Sequence, residues 1–371
     1  MKNKSILFVL IGKFPTKKAF GVTTLGTAMA AVNFGYKVNI LSSNSYLNSD
    51  DLFTTNKTKD VFSKFLANGI SDSYVGRINF RLVQIYVSLK ASMINFKLSD
   101  KIFWVRDPVV ALLLLVFTNK QTPIICEIHR VNNIIEILIY RILQRKKRVV
   151  LCPITQIVQE TLPKNKHNQV VLGMAVNDLF LNSGRNRVIS FKNELVIAYL
   201  GRGSSSREKL DINFLSKLLT FCEFNDKNWK FLFIGFSDDR LLKFKHVTMF
   251  ENKEHFEIPE ILVSADVGLV LYPDTNYFKD SFPIKLIEYA ATKLLIVATS
   301  TQAHLEILGN NKALYFPENN YKELYSVLEY IEKNRNLNTY VIEAAFKWAE
   351  NNSYSQRLST VLKELYSRFL I

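Results

Sequence analysis

The stretch from Ala265 to Thr299, ADVGLVLYPDTNYFKDSFPIKLIEYAATKLLIVAT, decides how this 371-residue chain folds. Val267 to Tyr272 is an apolar run suited to a buried parallel strand. A polar loop follows, and Ser281 then stands as a helix N-cap. Pro283 would fall in a first turn whose N–H groups have no intrahelical acceptor. The pattern predicts a helix from about Phe282 to Thr292. Lys285 and Glu288 share one face of it, while Leu286, Ile287, Ala290 and Ala291 cover the face turned to a sheet. Ile296 to Thr299 resumes as a strand. Such a β-loop-α-β unit sets an anion-ready helix N-terminus above the carboxyl end of a strand, where open α/β sheets bind ligands.

Asp280 and Glu288 bracket this helix start with seven residues between them. A carboxylate accepts two hydrogen bonds from a vicinal diol, so an acid placed here can hold a ribose or a hexose. The segment SFPIKLIEYAA resembles the signature of the retaining glycosyltransferases of the GT-B fold, family GT4. That signature is two acids separated by seven residues, in a variant reading Ser-x-Pro-x-Lys-x-x-Glu-Tyr-x-Ala. The first acid of the family is usually Glu, and here it is Asp280, one methylene shorter. The resemblance implies an α/β chain of two Rossmann-like, doubly wound domains facing a cleft. It also implies a donor site containing Ser281, Phe282, Pro283, Lys285 and Glu288, with Asp280 among the catalytic groups. The competing reading is an ordinary amphipathic helix of an α/β domain.

Length and a hydrophobic content of 48% suffice for two compact domains, and no linker or low-complexity segment interrupts the chain. Cys126, Cys152 and Cys222 are widely spaced, which gives neither a metal-ligand pattern nor a disulfide framework and fits a reducing cytosol. The N-terminal MKNKSILFVLIGKF has a short apolar run that leads into Gly12 without a small-residue cleavage site, so it reads as a first strand. The other long apolar run, Val109 to Phe117, is well below the ~20 residues of a spanning helix. Charge is segregated: residues 1–172 hold 24 Lys+Arg against 9 Asp+Glu, and residues 173–371 hold 24 against 24. The whole surplus of +15 therefore lies in the first half, which points to an anionic partner there. No nucleic-acid motif with interleaved aromatics is present, so an anionic membrane surface is the preferred partner, with Arg145, Lys146, Lys147 and Arg148 as the basic patch. The expected localisation is cytoplasmic, peripheral on the inner face of the cell membrane.

The first half alternates strands and helices: Ser5–Ile11, a helix from Gly21 to Phe34, then Lys37–Ser42. Gly21, in the loop region after the first strand, is a candidate for close backbone contact with substrate, or a plain turn glycine. Residues 44–99 are hard to place, with a helical pattern from Asn79 to Phe96. The run WVRDPVVALLLL…PIICEIH resembles the acceptor domain of the same family. It implies His129 at a strand's carboxyl end as a catalytic donor to a hydroxyl or to developing charge, with Arg106 and Glu127 on the acceptor side. An Arg106–Asp107 ion pair is the structural alternative for Arg106. The helix Asn132–Leu143 ends in the basic run, whose cations complement a helix dipole.

The domain boundary falls near Val170–Phe180, giving an acceptor domain of 1–172, rejoined by a C-terminal helix of about 355–371, and a donor domain of 173–354. The second half opens with Leu195–Leu200 and Gly201-Arg202-Gly203. The resemblance implies that Arg202 and Lys209, with Arg207 a competitor for Lys209, bind the donor diphosphate, and that Gly201 and Gly235 lie close to the nucleotide. Fixed cations and helix N–H groups stabilise a leaving diphosphate most in the transition state. No Asp-x-Asp pair is present, so the expected chemistry needs no metal and no cofactor beyond the nucleotide-sugar substrate. The expected activity is retaining hexosyl transfer from a UDP- or GDP-sugar to a hydroxyl of a lipid-linked or other glycan acceptor, of the surface-polysaccharide type. A nucleotide-sugar 2-epimerase and a catalytically silent sugar-nucleotide-binding subunit are the alternatives.

Overall fold

The structure is a computed structural model that describes residues 4–12, 14, 19–43, 46–48, 77–95, 101–164, 168–189, 194–201, 211–251, 253–272 and 283–369. The chain divides into two compact units: Met1–Gly173 with Tyr354–Ile371, and Met174–Ser353.

The first unit runs β1 (Ser5–Val9), α1 (Ala19–Asn33), β2 (Lys37–Leu41), β3 (Tyr46–Asn48), α2 (Arg77–Asn95), β4 (Lys101–Val105), α3 (Pro108–Phe117), β5 (Ile124–Ile128), α4 (Ile134–Gln144), β6 (Val149–Pro153) and α5 (Gln156–Glu160). Its sheet has the order β3-β2-β1-β4-β5-β6, parallel except where β3 returns antiparallel on β2. Leu7, Val9, Phe103, Val105, Cys126 and Ile128 pack with Val87, Val110, Leu114, Tyr140 and Leu143, so α2, α3 and α4 lie on one face of the sheet. The alternate residues of the strands, among them Phe8, Trp104 and Glu127, point to the opposite face. Helix α3 starts where it does because Asp107 accepts from Val109 N and Val110 N, both at 2.9 Å, and Pro108 needs no N–H acceptor.

Two expectations change here. Gly21 lies in the first turn of α1 and is buried, not in the preceding loop, because the helix begins earlier, at Ala19. Arg148 does not belong to an exposed basic patch. It is 8% exposed, and its guanidinium donates to Leu115 O at 2.6 Å, to Thr118 Oγ1 at 3.2 Å and to Asn119 O. Arg148 thus caps the carbonyl end of α3, whose last turn has carbonyls without intrahelical partners. Arg145, Lys146 and Lys147 remain exposed.

The second unit runs α6 (Asp178–Asn186), β7 (Val196–Leu200), α7 (Ile212–Phe224), β8 (Lys230–Ile234), α8 (Asp239–Leu242), β9 (Val247–Phe250), α9 (Ile258–Leu262), β10 (Val267–Val270), α10 (Lys285–Ala291), β11 (Leu295–Thr299), α11 (Gln302–Leu308), β12 (Leu314–Phe316), α12 (Tyr321–Lys333) and α13 (Thr339–Glu350). All strands are parallel, in the order β12-β11-β10-β7-β8-β9. One core joins the sheet to α7 and α12, the other to α6, α10 and α13. The last helix, α14 (Tyr354–Phe369), belongs to the first unit, where Tyr354 lies against Gly26 so closely that a Cβ there would fall 2.2 Å from the ring.

Both sheets reverse their winding beside their first strand, between β1 and β4 and between β7 and β10. The crevice at the carboxyl ends of such a strand pair is the expected ligand position of an open α/β sheet.

Candidate functional site

In the second unit the switch point is built by glycines and tyrosines. Gly201 and Gly235 end β7 and β8. Gly235 has φ +98°, and a Cβ on it would lie 2.3 Å from Gly201 O, so no side chain fits. Their amides are committed, Gly201 N–H to Ile234 O at 2.9 Å and Gly235 N–H to Phe250 O at 2.8 Å. What the two glycines allow is therefore close packing of the chain on itself, and their N–H groups are not offered to a ligand. A Cβ on Gly201 would also meet the Tyr199 ring at 2.6 Å. Tyr199 and Tyr272 flank Lys285, whose Nζ lies 4.7 Å and 4.8 Å from their ring centroids. The lysine is 7% exposed, and an ammonium over two aromatic faces is held by their quadrupoles.

Helix α10 begins at Lys285 after Ile284, without a side-chain cap, three residues later than the sequence predicts. Pro283 O accepts from Leu286 N at 3.0 Å in a single turn, and the i→i+4 ladder starts only with Glu288 N to Ile284 O at 3.2 Å. Pro283 thus precedes the helix. Asp280, Ser281 and Phe282 lie outside the described residues, as do Arg202, Arg207 and Lys209. All seven residues of α10 are buried, so Lys285 and Glu288 are enclosed too and do not form a solvated face. Tyr289 fixes the helix to the switch point. Its hydroxyl accepts from Leu200 N at 2.6 Å on β7 and donates to Leu269 O at 3.3 Å on β10. Its ring fits because residue 268 is glycine, where a Cβ would lie 2.5 Å from it. Glu288 is 5% exposed. Among the described residues its carboxylate is met by His255 alone, Nε2 to Oε1 at 2.7 Å, and the imidazole in turn lies 5.0 Å from the Phe180 ring. The sequence reading missed His255, which precedes α9 in EHFEIPE and carries no local signal.

In the first unit a second cluster gathers at the carboxyl ends of β4 and β5. Glu127 is 1% exposed and accepts on both oxygens. Arg106 and His129 Nε2 approach Oε1 at 2.6 Å, and Trp104 Nε1 and Arg357 approach Oε2 at 2.9 Å. Arg106 also donates to Phe20 O at 3.1 Å and Thr23 Oγ1 at 2.6 Å, clamping the start of α1. Its guanidinium is turned into the protein and makes no pair with Asp107, which caps α3 and receives Gln84 instead. Burial by itself would raise the Glu127 carboxyl, but Arg106, Arg357 and His129 outweigh it and hold the group well below the ordinary range. Desolvation and the neighbouring Arg106 lower His129 against the pull of Glu127, which favours a neutral imidazole. His129 is the outermost member, with its side chain 42% exposed. Arg357, on α14, lies 230 positions from Glu127 and could be found only in three dimensions.

Residues 185–348 match the family Glycosyl transferases group 1. The matched span carries Gly201, Gly235, His255, Lys285 and Glu288. Over the whole chain the fold is GT-B. It is similar to a glycosyltransferase from Rickettsia africae ESF-5, at 17% identity over 99% of both chains and a TM-score of 0.69. It is similar as well to the E. coli trehalose-6-phosphate structure bound with UDP-2-fluoro glucose, at 12% identity over 97% of this chain and 99% of that one, TM-score 0.62. Anabaena HepE in complex with UDP and glucose aligns over 98% of this chain and 99% of its own, at 11% identity and a TM-score of 0.60. No curated protein matches the sequence.

Proposed function

We propose that the protein transfers a hexosyl unit from a UDP- or GDP-sugar to a hydroxyl of a lipid-linked glycan, with retention at the anomeric carbon. The observation that carries this reading is the place of Glu288: a buried carboxylate on α10, beside the β7/β10 switch point, within the span that matches the glycosyltransferase family. Glu288 holds the ribose diol, and His255 fixes the rotamer of its carboxylate. Lys285, held between Tyr199 and Tyr272, adds a fixed positive charge beside the departing diphosphate. Arg202, Lys209 and the segment Asp280–Phe282 complete the donor site and replace a metal. Transition-state charge is stabilised most by groups already in place, since they need no reorganisation when the bond breaks. The diphosphate leaves and the acceptor attacks on one face of the sugar, so no protein nucleophile is required. On the acceptor side, the exposed and neutral His129 receives the acceptor proton or orients its hydroxyl.

Incubating the purified protein with UDP- and GDP-hexoses and polyprenyl-linked saccharides, with and without EDTA, tests this. A glycosylated lipid whose new linkage keeps the donor's anomeric configuration, formed equally in EDTA, is expected. An epimerised donor without transfer, or nucleotide binding without turnover, overturns the assignment.

A further inference from the structure

Helix α2 carries apolar side chains on two sides. Toward the sheet it buries Val87 and Ala91 in the core, together with Gln84, Ser88 and Ser92. Gln84 Nε2 reaches both oxygens of Asp107 at 2.9 Å, while Ser88 and Ser92 return their hydroxyls to the helix at Gln84 O and Leu89 O. The opposite side carries Leu82, Ile85, Tyr86, Leu89 and Met93, all exposed, Met93 to 68%. A helix facing water carries polar side chains on that outer side. Helix α2 packs on α3 and α3 on α4. The neighbouring helices add further exposed apolar side chains, Val116, 73% exposed, on α3 and Ile134, Ile135, Leu138 and Ile142 on α4. Exposed apolar side chains gathered on packed neighbouring helices mark an interaction site.

Its rim is cationic. Arg81 and Lys90 stand on α2, Lys120 follows α3, and Arg141, Arg145, Lys146 and Lys147 close α4. Among the described residues of the three helices the one acid is Glu136, whose carboxylate is taken up by Asn132 N at 2.8 Å. We propose that the outer face of α2, α3 and α4 docks on an anionic lipid bilayer, its apolar side chains entering the boundary between headgroups and acyl chains and its cations meeting lipid phosphates. An apolar centre inside a basic rim matches that surface in both chemistries. A second copy of the chain fits worse, because pairing the face with itself sets two basic rims against each other. The proposal stands apart from sugar transfer, since it uses none of the residues assigned to the donor or acceptor.

Co-sedimentation of the full chain with vesicles of phosphatidylcholine, alone or mixed with phosphatidylglycerol, tests it. The bound fraction should rise about tenfold or more with the anionic lipid, fall as salt is added, and drop by a similar factor in two variants. One is Leu89→Asp with Leu138→Asp. The other is Arg145→Gln with Lys146→Gln and Lys147→Gln. Because these side chains are exposed, both variants should unfold thermally like the parent. Equal recovery with neutral and anionic vesicles overturns the proposal, as does binding that both variants leave unchanged. Absence of vesicle binding overturns it too, and two further readouts then say what covers the face. A dimer that Leu89→Asp converts to a monomer in sedimentation velocity indicates a second copy, and a several-degree loss of Tm in that variant indicates cover by residues 49–76 of the chain itself.

Discussion

Glu127 and Glu288 are both nearly inaccessible carboxylates of an α/β unit, yet their surroundings differ. Glu127 is met by two guanidinium groups, an imidazole and an indole, which draw together β4, β5 and α14. Among the described residues Glu288 is met by one imidazole. An ionised carboxylate has about four lone-pair sites, so Glu127 is saturated by protein, while among the described residues Glu288 has a single partner. The comparison separates a carboxylate that organises a unit from one that we propose binds the donor, although burial and sequence chemistry are alike.

The largest effect expected from breaking this contrast is in Glu127→Ala. Removing the carboxylate leaves Arg106 and Arg357 as enclosed charges without their counter-ion, which should cost about 3–5 kcal/mol in urea unfolding. Glu288→Ala should act elsewhere: nucleoside diphosphate affinity by calorimetry falls roughly 10- to 100-fold, from lost charge-assisted bonds of about 1.5–3 kcal/mol, while stability changes far less than in Glu127→Ala. A comparable stability loss in both variants would erase the distinction.

A smaller effect extends the comparison to cations. Arg148→Ala should lower stability by about 1–2 kcal/mol through the uncapped carbonyls of α3, and leave vesicle binding unchanged, unlike loss of the exposed Arg145, Lys146 and Lys147. Reduced vesicle binding in Arg148→Ala would return that residue to the surface patch.

The smallest expected effect is a pH dependence. Glu127 has a depressed value in the fold, so its contribution is complete above its ordinary value of 4.5 and is lost as pH falls through the folded value. His129 is also depressed, so its contribution is complete above 6.5 and is likewise lost on acidification. The two signs agree. Urea midpoints of the protein should decline from about pH 6.5 downward, and Glu127→Gln should flatten the acid limb. A midpoint that rises on acidification would contradict the buried charge arrangement.

The sequence by itself determined the local grammar and the fold class. Ser5–Ile11, Val267–Tyr272 and Ile296–Thr299 read as strands and contain β1, β10 and most of β11, because apolar runs of that length bounded by turns have few other uses. SFPIKLIEYAA placed a helix after β10 in a GT-B chain, and that helix is present as α10 with a later start. The late start was not legible, since the distinction between a proline in the first turn and one just before the helix depends on where the preceding loop leaves β10. Only the tertiary structure decided which side chains meet. Arg148 looked like its three basic neighbours in sequence, but the turn after α4 directs it beneath the end of α3. Helix α2 has an apolar inner side at Val87 and Ala91, where Asp107 also takes Gln84, and its exposed outer side is apolar too. His255 and Arg357 reach Glu288 and Glu127 from 33 and 230 positions away. Periodicity records how a segment bonds to itself, and partners at such distances are chosen by which elements the sheet order brings side by side.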